Sequence, residues 1–383
     1  MSELPEYKAN RLDVELTFDD VLLLPQKSGV KSRSDVDTSM NITPSIEVEI
    51  PIISSNMDTV TGAEMAQAMS DVGACGITHR FDGAEAQAEM IRQVDGVVGA
   101  TLGVSDNVVE DAHLYLDAGA DFLCVDTPHA HADHVVSSDS DDTNVSHSNH
   151  MSVIEKLRNE FPDVDIMAGN VASREGAIDL INAGANSIKV GIGSGSVCET
   201  RLVTGAGRPQ FTSVGEVARG VREYLNFNGQ DLNEVTVIAD GGIRNSGDMM
   251  KSLMVGADAV MVGGFVAGCP ESLKGVEYRG MASAAAREDR SDQSSEKEEH
   301  TDNPEEKSRQ AATEGARTNV EEQKSVKEVI LEAQGGIQSG CSYCGRGSIK
   351  EARKNAEFAR TTTNTVARNG VHGNKEVLEQ SQE

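Results

Sequence analysis

Residues 165–192 read DIMAGNVASREGAIDLINAGANSIKVGI and contain one complete strand–helix–strand repeat. Two short apolar runs, 165–171 and 187–192, flank a segment in which Ala177, Ile178 and Ile181 recur at helical spacing. The segment ends in Ala-Gly-Ala, which suits the end of a helix. The pattern predicts a strand, a helix over 174–183 and a second strand.

The same alternation of strand and helix extends over most of the chain. A further helix is predicted over 62–72, where apolar side chains share one face. The predicted strands are 51–56, 74–79, 97–103, 122–127, 165–171, 187–192, 235–243 and 259–264. Eight strand–helix units in series close most economically into an α/β fold of the TIM (β/α)8 barrel type. A doubly wound sheet is the alternative, but it does not require so many regular repeats.

Two polar stretches interrupt these repeats. Residues 137–150, SSDSDDTNVSHSNH, predict a solvated loop insertion. Residues 284–323 carry many charges and few large apolar side chains, which predicts either a disordered segment or a mobile acidic flap, and their position after the eighth strand favours the flap. A helix is predicted over 325–334, and a Gly-rich segment, 335–347, precedes another helix. The chain, 1–383, is interpreted as one catalytic barrel domain.

The composition limits which binding partners and which cellular compartment are expected. Acidic residues number 62 against 34 Lys plus Arg, which gives a formal net charge of −28. That charge opposes nucleic acid and anionic membranes as partners. It favours a halophilic source over an ordinary acidic cytosolic protein. No apolar run of about 18 residues occurs, and six cysteines are scattered through the chain, so we expect a cytoplasmic protein without a membrane span.

The loop after the sixth predicted strand carries a candidate nucleophile. It reads GIGSGSVCETR over 191–201 and places Cys198 beyond three glycines. Oriented backbone dipoles in such a loop can lower the pKa of a thiol, and Thr200 supplies a nearby hydroxyl. A structural cysteine buried in a Gly-rich turn is the alternative interpretation.

Paired glycines follow the seventh and eighth predicted strands. The chain reads ADGGI over 239–243 and VGG over 262–264. At these positions many TIM barrels bind phosphate through backbone N–H groups. Asp240 precedes the first pair and can accept hydrogen bonds from a ribose diol. Neutral amides would hold an anion despite the net negative charge.

A zinc site is disfavoured. His129, His131 and His134 form one cluster, and Cys341 and Cys344 form a CxxC pair. The histidines lack a companion carboxylate motif, and the single CxxC has no second ligand pair at zinc-site spacing.

Seven motifs in a fixed order resemble the IMP dehydrogenase and GMP reductase family. They are LTFDDVLLLP at 16–25, SSNMDTVT at 54–61, AGNVAS at 168–173, GIGSGSVCETR at 191–201, ADGGIRNSGD at 239–248, VMVGGFVAG at 260–268 and YRGMAS at 278–283. The resemblance runs from about residue 11 to about residue 372. It implies a TIM barrel in a homotetramer that binds a purine mononucleotide, GMP or IMP, and a nicotinamide cofactor.

The resemblance also implies roles for individual residues. Cys198 would attack C2 of the purine, with Thr200 and Glu314 as catalytic partners. The implied substrate-binding residues are Ser55, Met57, Ser196, Asp240, Gly241, Gly242, Gly263, Gly264, Tyr278, Gly280 and Met281. The implied cofactor-binding residues are Asp126, Thr127, Asn170 and Lys189. Backbone carbonyls of Gly193, Gly195 and Cys198 would form a monovalent-cation site, with K⁺ as the expected ion.

Three features favour the reductase, which converts GMP to IMP and ammonia with NADPH. The connection over 78–96 has no room for the paired CBS module that most family dehydrogenases carry there. Asp289, Arg290 and Ser291 stand where dehydrogenases carry an Arg-Tyr pair. The Asn-Met-Asp motif at 56–58 and the Glu-Met-Ala motif at 64–66 are also more similar to the reductase.

Two alternatives remain open. A CBS-free dehydrogenase oxidising IMP to XMP with NAD is favoured by Val-Asp-Thr at 125–127 and Tyr-Cys-Gly at 343–345. A catalytically silent barrel that binds purine nucleotides is opposed by the intact Cys198 and Thr200. The chain departs from both enzymes at Glu199, where Thr is usual, and in its very acidic flap.

Overall fold

The computed structural model describes residues 13–136, 151–283, 286 and 313–362. The predicted loop insertion at 137–150 lies outside the described residues. So does most of the predicted flap, 284–323, including Arg290. Within the described ranges, no helix is both long enough and apolar enough to cross a membrane.

Eight parallel strands close into a barrel in chain order, which confirms the predicted TIM barrel. A doubly wound sheet would remain open. Each strand lies within the range predicted for it. The strands are β4 (Ile52–Ser54), β5 (Cys75–Thr78), β6 (Val98–Leu102), β7 (Phe122–Asp126), β8 (Ile166–Val171), β9 (Ser187–Val190), β10 (Thr236–Asp240) and β11 (Ala259–Val262). Closure between β4 and β11 brings all the strand ends to one mouth.

Helices surround the barrel. They are α1 (Ala63–Asp71), α2 (Ala84–Arg92), α3 (Val108–Ala118), α4 (Val153–Glu160), α5 (Arg174–Ala183), α6 (Thr200–Thr204), α7 (Gln210–Phe227), α8 (Ser246–Val255), α9 (Val326–Tyr343) and α10 (Ile349–Asn355). The Ser173 side chain caps α5 by accepting from the Gly176 backbone N–H at 3.2 Å. The left-handed Gly184, with φ 114°, ends the helix inside the predicted Ala-Gly-Ala turn.

The barrel has two layers of buried side chains, as parallel strands covered on both faces require. Phe122, Met167 and Ile238 belong to an inner cluster, and Ile77 and Met261 extend it. A larger outer cluster lies between the strands and the helices. Because both faces are apolar, the strand sequences read as nearly continuous hydrophobic runs.

A hairpin covers the end of the barrel opposite the mouth. It consists of β2 (Met40–Thr43) and β3 (Ile46–Val48), which pair antiparallel. Ile42 is completely buried in the inner cluster. The Ile42 carbonyl accepts hydrogen bonds from the hydroxyls of Ser187 and Thr236, at 3.1 and 2.8 Å. This hairpin thus seals the barrel and leaves the mouth as its open end.

Two further strand pairs occur among the described residues. β1 (Val21–Leu23) pairs with β14 (Phe358–Arg360), and β12 (Glu277–Arg279) pairs with β13 (Arg317–Asn319). Residues 313–323, the last part of the predicted flap, therefore include a strand at the barrel mouth. Arg279 on β12 forms a buried ion pair with Asp58 at 2.5 Å, which ties this pair to the loop after β4.

Helix α9 differs from the sequence prediction. The sequence predicts a helix over 325–334 followed by a Gly-rich segment, but in the structure the helix continues to Tyr343. Tertiary packing explains the difference. A Cβ on Gly336 would lie 2.2 Å from Ser246 Oγ, and one on Gly340 would lie 2.5 Å from the Met250 side chain. The glycines thus allow α9 to pack closely on α8, which outweighs their low helix propensity.

Candidate active site

Two adjoining cavities open at the carboxyl ends of the barrel strands. The amide cavity, of about 620 Å³, is bordered by the glycine pairs after β10 and β11. The thiol cavity, of about 390 Å³, contains Cys198. Both are lined by Gly195, Val197, Gly241, Gly263 and Tyr278. One elongated ligand can therefore occupy both.

The loop after β9 presents Cys198 to the thiol cavity. The Cys198 N–H donates to the Gly195 carbonyl at 3.1 Å, which closes a tight turn. The segment around Gly315 lies beside this loop. The Ala316 N–H donates to the Val197 carbonyl at 2.9 Å, and Cys198 forms an antiparallel β-bridge with Gly315. The nucleophile candidate is thus fixed by backbone hydrogen bonds from a distant segment.

Cys198 is half-buried, whereas the five other cysteines are buried. Burial raises the pKa of Cys124, Cys269 and Cys341 to about 12 and raises that of Cys344 as well. Those thiols remain protonated near neutral pH, and a thiol is a much weaker nucleophile than a thiolate. Exposure therefore singles out Cys198.

A directed chain of hydrogen bonds leads away from the thiol. Cys198 Sγ donates to Thr200 Oγ1 at 3.1 Å, and the Thr200 hydroxyl donates to Glu314 Oε2 at 2.9 Å. The Glu314 carbonyl accepts from the Glu199 N–H at 2.8 Å, which fixes the backbone of this carboxylate. The arrangement can carry a proton from the thiol to Glu314 and return one to a group bound beside Cys198.

The glycines after β11 let the backbone approach polar side chains closely. A Cβ on Gly263 would lie 2.6 Å from Tyr278 Oη, 2.9 Å from Ser55 Oγ and 3.1 Å from Met57 Sδ. Burial raises the pKa of Tyr278, although hydrogen bonds from Ser196 and the Gly264 backbone oppose the shift. Its neutral hydroxyl can therefore donate to an anion at this wall.

Lys189 lies among carboxylates at the floor of the thiol cavity. Its Nζ is 2.6 Å from Asp126 Oδ1 and 3.1 Å from Asp240 Oδ2. Asn170 Nδ2 donates to the same Asp240 oxygen at 2.9 Å. Burial opposes the charge on Lys189, but the two carboxylates outweigh it and raise the lysine's pKa. Lys189 in turn outweighs burial and lowers the pKa of Asp126.

The thiol cavity has groups that fit a nicotinamide. Asn170 Oδ1 and Ser55 Oγ are buried and have no hydrogen-bond partner among the described residues. Asp126 and Thr127 line the same cavity. An amide ligand can satisfy such groups, because it offers both a donor and an acceptor.

The predicted cation site rests on backbone carbonyls. The Gly195 carbonyl accepts from the Cys198 N–H and keeps a second lone pair. Oxygen donors of this kind suit a hard cation. Among described residues, no group of three or more His, Cys, Asp or Glu side chains is arranged to hold a metal ion. His131 instead pairs with Asp179 at 2.8 Å.

The structure brings nearly all the predicted site residues together. The thiol cavity is lined by Ser55, Met57, Asp126, Thr127, Asn170, Lys189, Cys198, Thr200, Asp240, Gly241, Gly263, Tyr278, Gly280, Met281 and Glu314. Ser196, Gly242 and Gly264 line the amide cavity. Gly193 lines neither of these two cavities, and a Cβ there would lie 2.6 Å from the Arg201 side chain.

Sequence reasoning missed three residues of the site. Arg80 and Phe81 follow β5 and line the thiol cavity, with the Arg80 guanidinium 4.8 Å from the Phe81 ring centre. Gln210 Nε2 donates to the carbonyls of Val190 and Asp240, at 2.7 and 3.0 Å, and so joins two strand ends. The signal for Arg80 was its place just beyond a barrel strand. No local signal marks Gln210, because its partners come from two other elements.

Comparisons with known proteins agree with this geometry. The model of the IMP dehydrogenase / GMP reductase domain matches residues 15–372. An IMP dehydrogenase of Nitrosopumilus maritimus is 28% identical, covering 93% of this chain and 98% of the relative. An IMP dehydrogenase of Cryptosporidium parvum is 30% identical, covering 93% and 94%. A GMP reductase of Leishmania major is 28% identical, covering 93% and 96%. The chain belongs to the IMP dehydrogenase / GMP reductase family.

Proposed function

We propose that this enzyme is a GMP reductase, which converts GMP to IMP and ammonia with NADPH as the reductant. The observation that carries the proposal is the hydrogen-bond chain from Cys198 through Thr200 to Glu314. Reductive deamination needs a nucleophile at purine C2 and an acid beside it, because the amino group must leave as ammonia. The chain supplies both groups within one loop and its neighbouring segment.

The residues have separate tasks in this reaction. Backbone N–H groups of the amide cavity and the Tyr278 hydroxyl would bind the phosphate, while Asp240 would accept from the ribose hydroxyls. Cys198 passes its proton through Thr200 to Glu314 and adds to C2 as a thiolate. Glu314 returns a proton by the same route as the C2–N bond breaks and ammonia leaves. Thr127 and Asn170 would orient the nicotinamide that, when bound, supplies hydride to C2; the C–S bond then breaks and releases IMP.

IMP dehydrogenase is the second candidate, and the comparisons favour it. Two of the three relatives named above are IMP dehydrogenases. The absence of a CBS module from the 78–96 connection does not distinguish a reductase from a dehydrogenase. The Cryptosporidium parvum dehydrogenase aligns over 412 positions and the Leishmania major reductase over 502, so alignment length does not follow the name. What still favours the reductase is Ser291 after Arg290, where the dehydrogenase pattern has Tyr.

Absorbance at 340 nm distinguishes the two reactions. The full chain is assayed in high KCl, once with GMP plus NADPH and once with IMP plus NAD. A fall in absorbance in the first mixture alone supports the reductase. A rise in the second alone would overturn it in favour of the dehydrogenase. Activity in neither mixture, with nucleotide binding retained, would favour a silent nucleotide-binding barrel.

A substitution at Glu314 tests its assigned role. Glu314→Gln retains the shape of the side chain but cannot take a proton from Thr200, so ammonia release should fall by about 10² to 10⁴. Glu322→Gln, an acidic residue outside the cavities described above, is the control and should retain activity. Ammonia release at the wild-type rate in Glu314→Gln would refute the relay.

The remaining properties are proposals of the same kind. We propose a cytoplasmic homotetramer that uses NADP(H), with NAD for the dehydrogenase alternative, and K⁺ at the carbonyls of Gly193, Gly195 and Cys198. Replacing K⁺ by Li⁺ at constant ionic strength should lower the rate if the cation site is used. Light scattering of the purified chain measures the oligomer.

A further inference from the structure

One buried lysine forms ion pairs with carboxylates on both sides of the thiol cavity. Lys189 lies on β9, and only 1% of its side chain is exposed. Asp126 ends β7, on the side proposed for the nicotinamide, and Asp240 ends β10, on the side proposed for the ribose. Their side chains are 26% and 20% exposed, so both can meet a ligand while the ammonium lies behind them.

The ammonium has no donor left for a ligand. Its three N–H groups face Asp126 Oδ1 at 2.6 Å, Asp240 Oδ2 at 3.1 Å and Met261 Sδ at 3.8 Å. Asp240 Oδ2 also accepts from Asn170 Nδ2 at 2.9 Å. In this geometry the lysine acts on a ligand through the two carboxylates.

We infer that Lys189 is a positioning residue that fixes Asp126 and Asp240 together, so that one side chain sets the geometry of both ligand half-sites. The inference rests on the proposed function for the identity of the two ligands. Without the ammonium, two carboxylates at this floor would repel each other and turn away from their ligands. A buried ion whose partner is removed also lacks compensation, so the loss should be large.

Equilibrium binding to the full chain tests this inference without measuring turnover. GMP and NADPH are titrated separately into the wild type and into Lys189→Met, Lys189→Arg, Asp126→Asn and Asp240→Asn. We expect Lys189→Met to weaken both ligands at least about tenfold. Asp126→Asn should weaken mainly NADPH, and Asp240→Asn mainly GMP. Lys189→Arg should recover most of both affinities, because it restores a cation at the same place.

A double variant separates positioning from a general loss of structure. If Lys189 acts through Asp126, then Lys189→Met combined with Asp126→Asn should bind NADPH no worse than Asp126→Asn alone. This variant also removes one uncompensated carboxylate, so it serves if Lys189→Met does not fold. Lys350→Met removes an exposed lysine near Glu47 and is the control for the change in net charge. Additive losses in the double variant, or unchanged affinities in Lys189→Met, would overturn the inference.

The wild-type titrations distinguish a failure of the Lys189 inference from a failure of the proposed function. If the wild type binds IMP and NAD rather than GMP and NADPH, the reductase proposal fails. The same variants are then titrated with IMP and NAD, and the expected pattern is unchanged. Failure of the pattern with ligands that the wild type binds well would count against Lys189 alone.

Discussion

At the scale of single residues, the six cysteines show that environment, rather than residue type, creates a reactive thiol. Cys198 is half-buried, and its thiol contacts Thr200. Cys124, by contrast, is completely buried inside the barrel, and burial raises its pKa to about 12. A reagent that reacts with thiolates should therefore distinguish them.

We predict that iodoacetamide modifies Cys198 first in the folded protein. Peptide mass spectrometry after brief treatment at pH 7.5 should find it labelled at least about tenfold faster than any buried cysteine, since reactivity follows thiolate content and access. GMP should protect it if the nucleotide lies over the thiol. In Cys198→Ala, none of the remaining cysteines should be labelled at the rate of Cys198 in the wild type. Equal labelling of Cys198 and Cys124 would contradict the assignment.

The sequence points to both Cys198 and Lys189, but the contacts of Lys189 come only from the structure. Cys198 follows a glycine loop at a strand end, which is a local pattern. The contacts of Lys189 depend on the register of β7, β9 and β10, because each strand supplies one member of the cluster. Residue order alone does not contain that register, so the lysine could be placed at the mouth but not behind its carboxylates.

At the scale of elements, the barrel strands were predictable and the outer pieces were not. Each of the eight strands is a short apolar run bounded by turn residues, and its burial on both faces produces that run. Strand β13 lies in a polar stretch that has no such pattern; its three residues are all exposed. It is a strand because it pairs with β12 across the mouth, which is a tertiary effect.

Glycines in α9 provide a paired prediction. Gly335 is exposed, and a Cβ there would meet no atom within 4 Å. Gly335→Ala should therefore raise the free energy of unfolding by about 0.5 to 1 kcal/mol. Gly336→Ala should lower it, because its Cβ would lie 2.2 Å from Ser246 Oγ. Urea unfolding measures both variants, and destabilisation by Gly335→Ala would show that the helix is not packed as described.

The hairpin that seals the barrel provides a pH-dependent prediction. Ser45, between β2 and β3, donates its hydroxyl and backbone N–H to Asp165. Burial raises the pKa of Asp165, but hydrogen bonds from Ser45 and Asn186 outweigh it, so the pKa is lowered overall. The stabilisation is present above the ordinary carboxyl pKa of about 3.9 and is lost as the pH falls through the lowered value.

Ser45→Ala should accordingly cost about 1.5 to 3 kcal/mol at pH 7, the range for a hydrogen bond to a charged group. The cost should shrink as the pH falls through the lowered pKa of Asp165, because protonation then removes the charge that the Ser45 hydroxyl stabilises. Urea unfolding at pH 7 and pH 3 measures the difference. Ser34→Ala, at an exposed position, is the control. No measurable cost at pH 7, or a larger cost at pH 3 than at pH 7, would contradict a charged Asp165 held by Ser45.

At the scale of the whole molecule, the formal net charge of −28 opposes the compact state through self-repulsion. Within the site, Lys189 lies between two carboxylates, and neutral backbone amides would hold the anion in the proposed function. Surface ion pairs such as Lys350 with Glu47 leave most of the excess negative charge unpaired, because acidic residues outnumber Lys plus Arg by 62 to 34. Their repulsion is screened by salt, since the Debye length falls from about 10 Å at 0.1 M to about 3 Å at 1 M.

We therefore predict that KCl stabilises the fold. The midpoint of thermal unfolding at pH 7.5 should rise by several degrees between 0.1 and 2 M KCl, with most of the rise below about 1 M, where the screening length changes most. The rise should become much smaller at about pH 4.5, where many carboxylates are protonated and the repulsion is weaker. Circular dichroism at 222 nm provides the measurement. A rise of the same size at both pH values would show that salt acts by a route other than charge screening, and a fall at pH 7.5 would refute the expectation that this acidic surface is adapted to high salt.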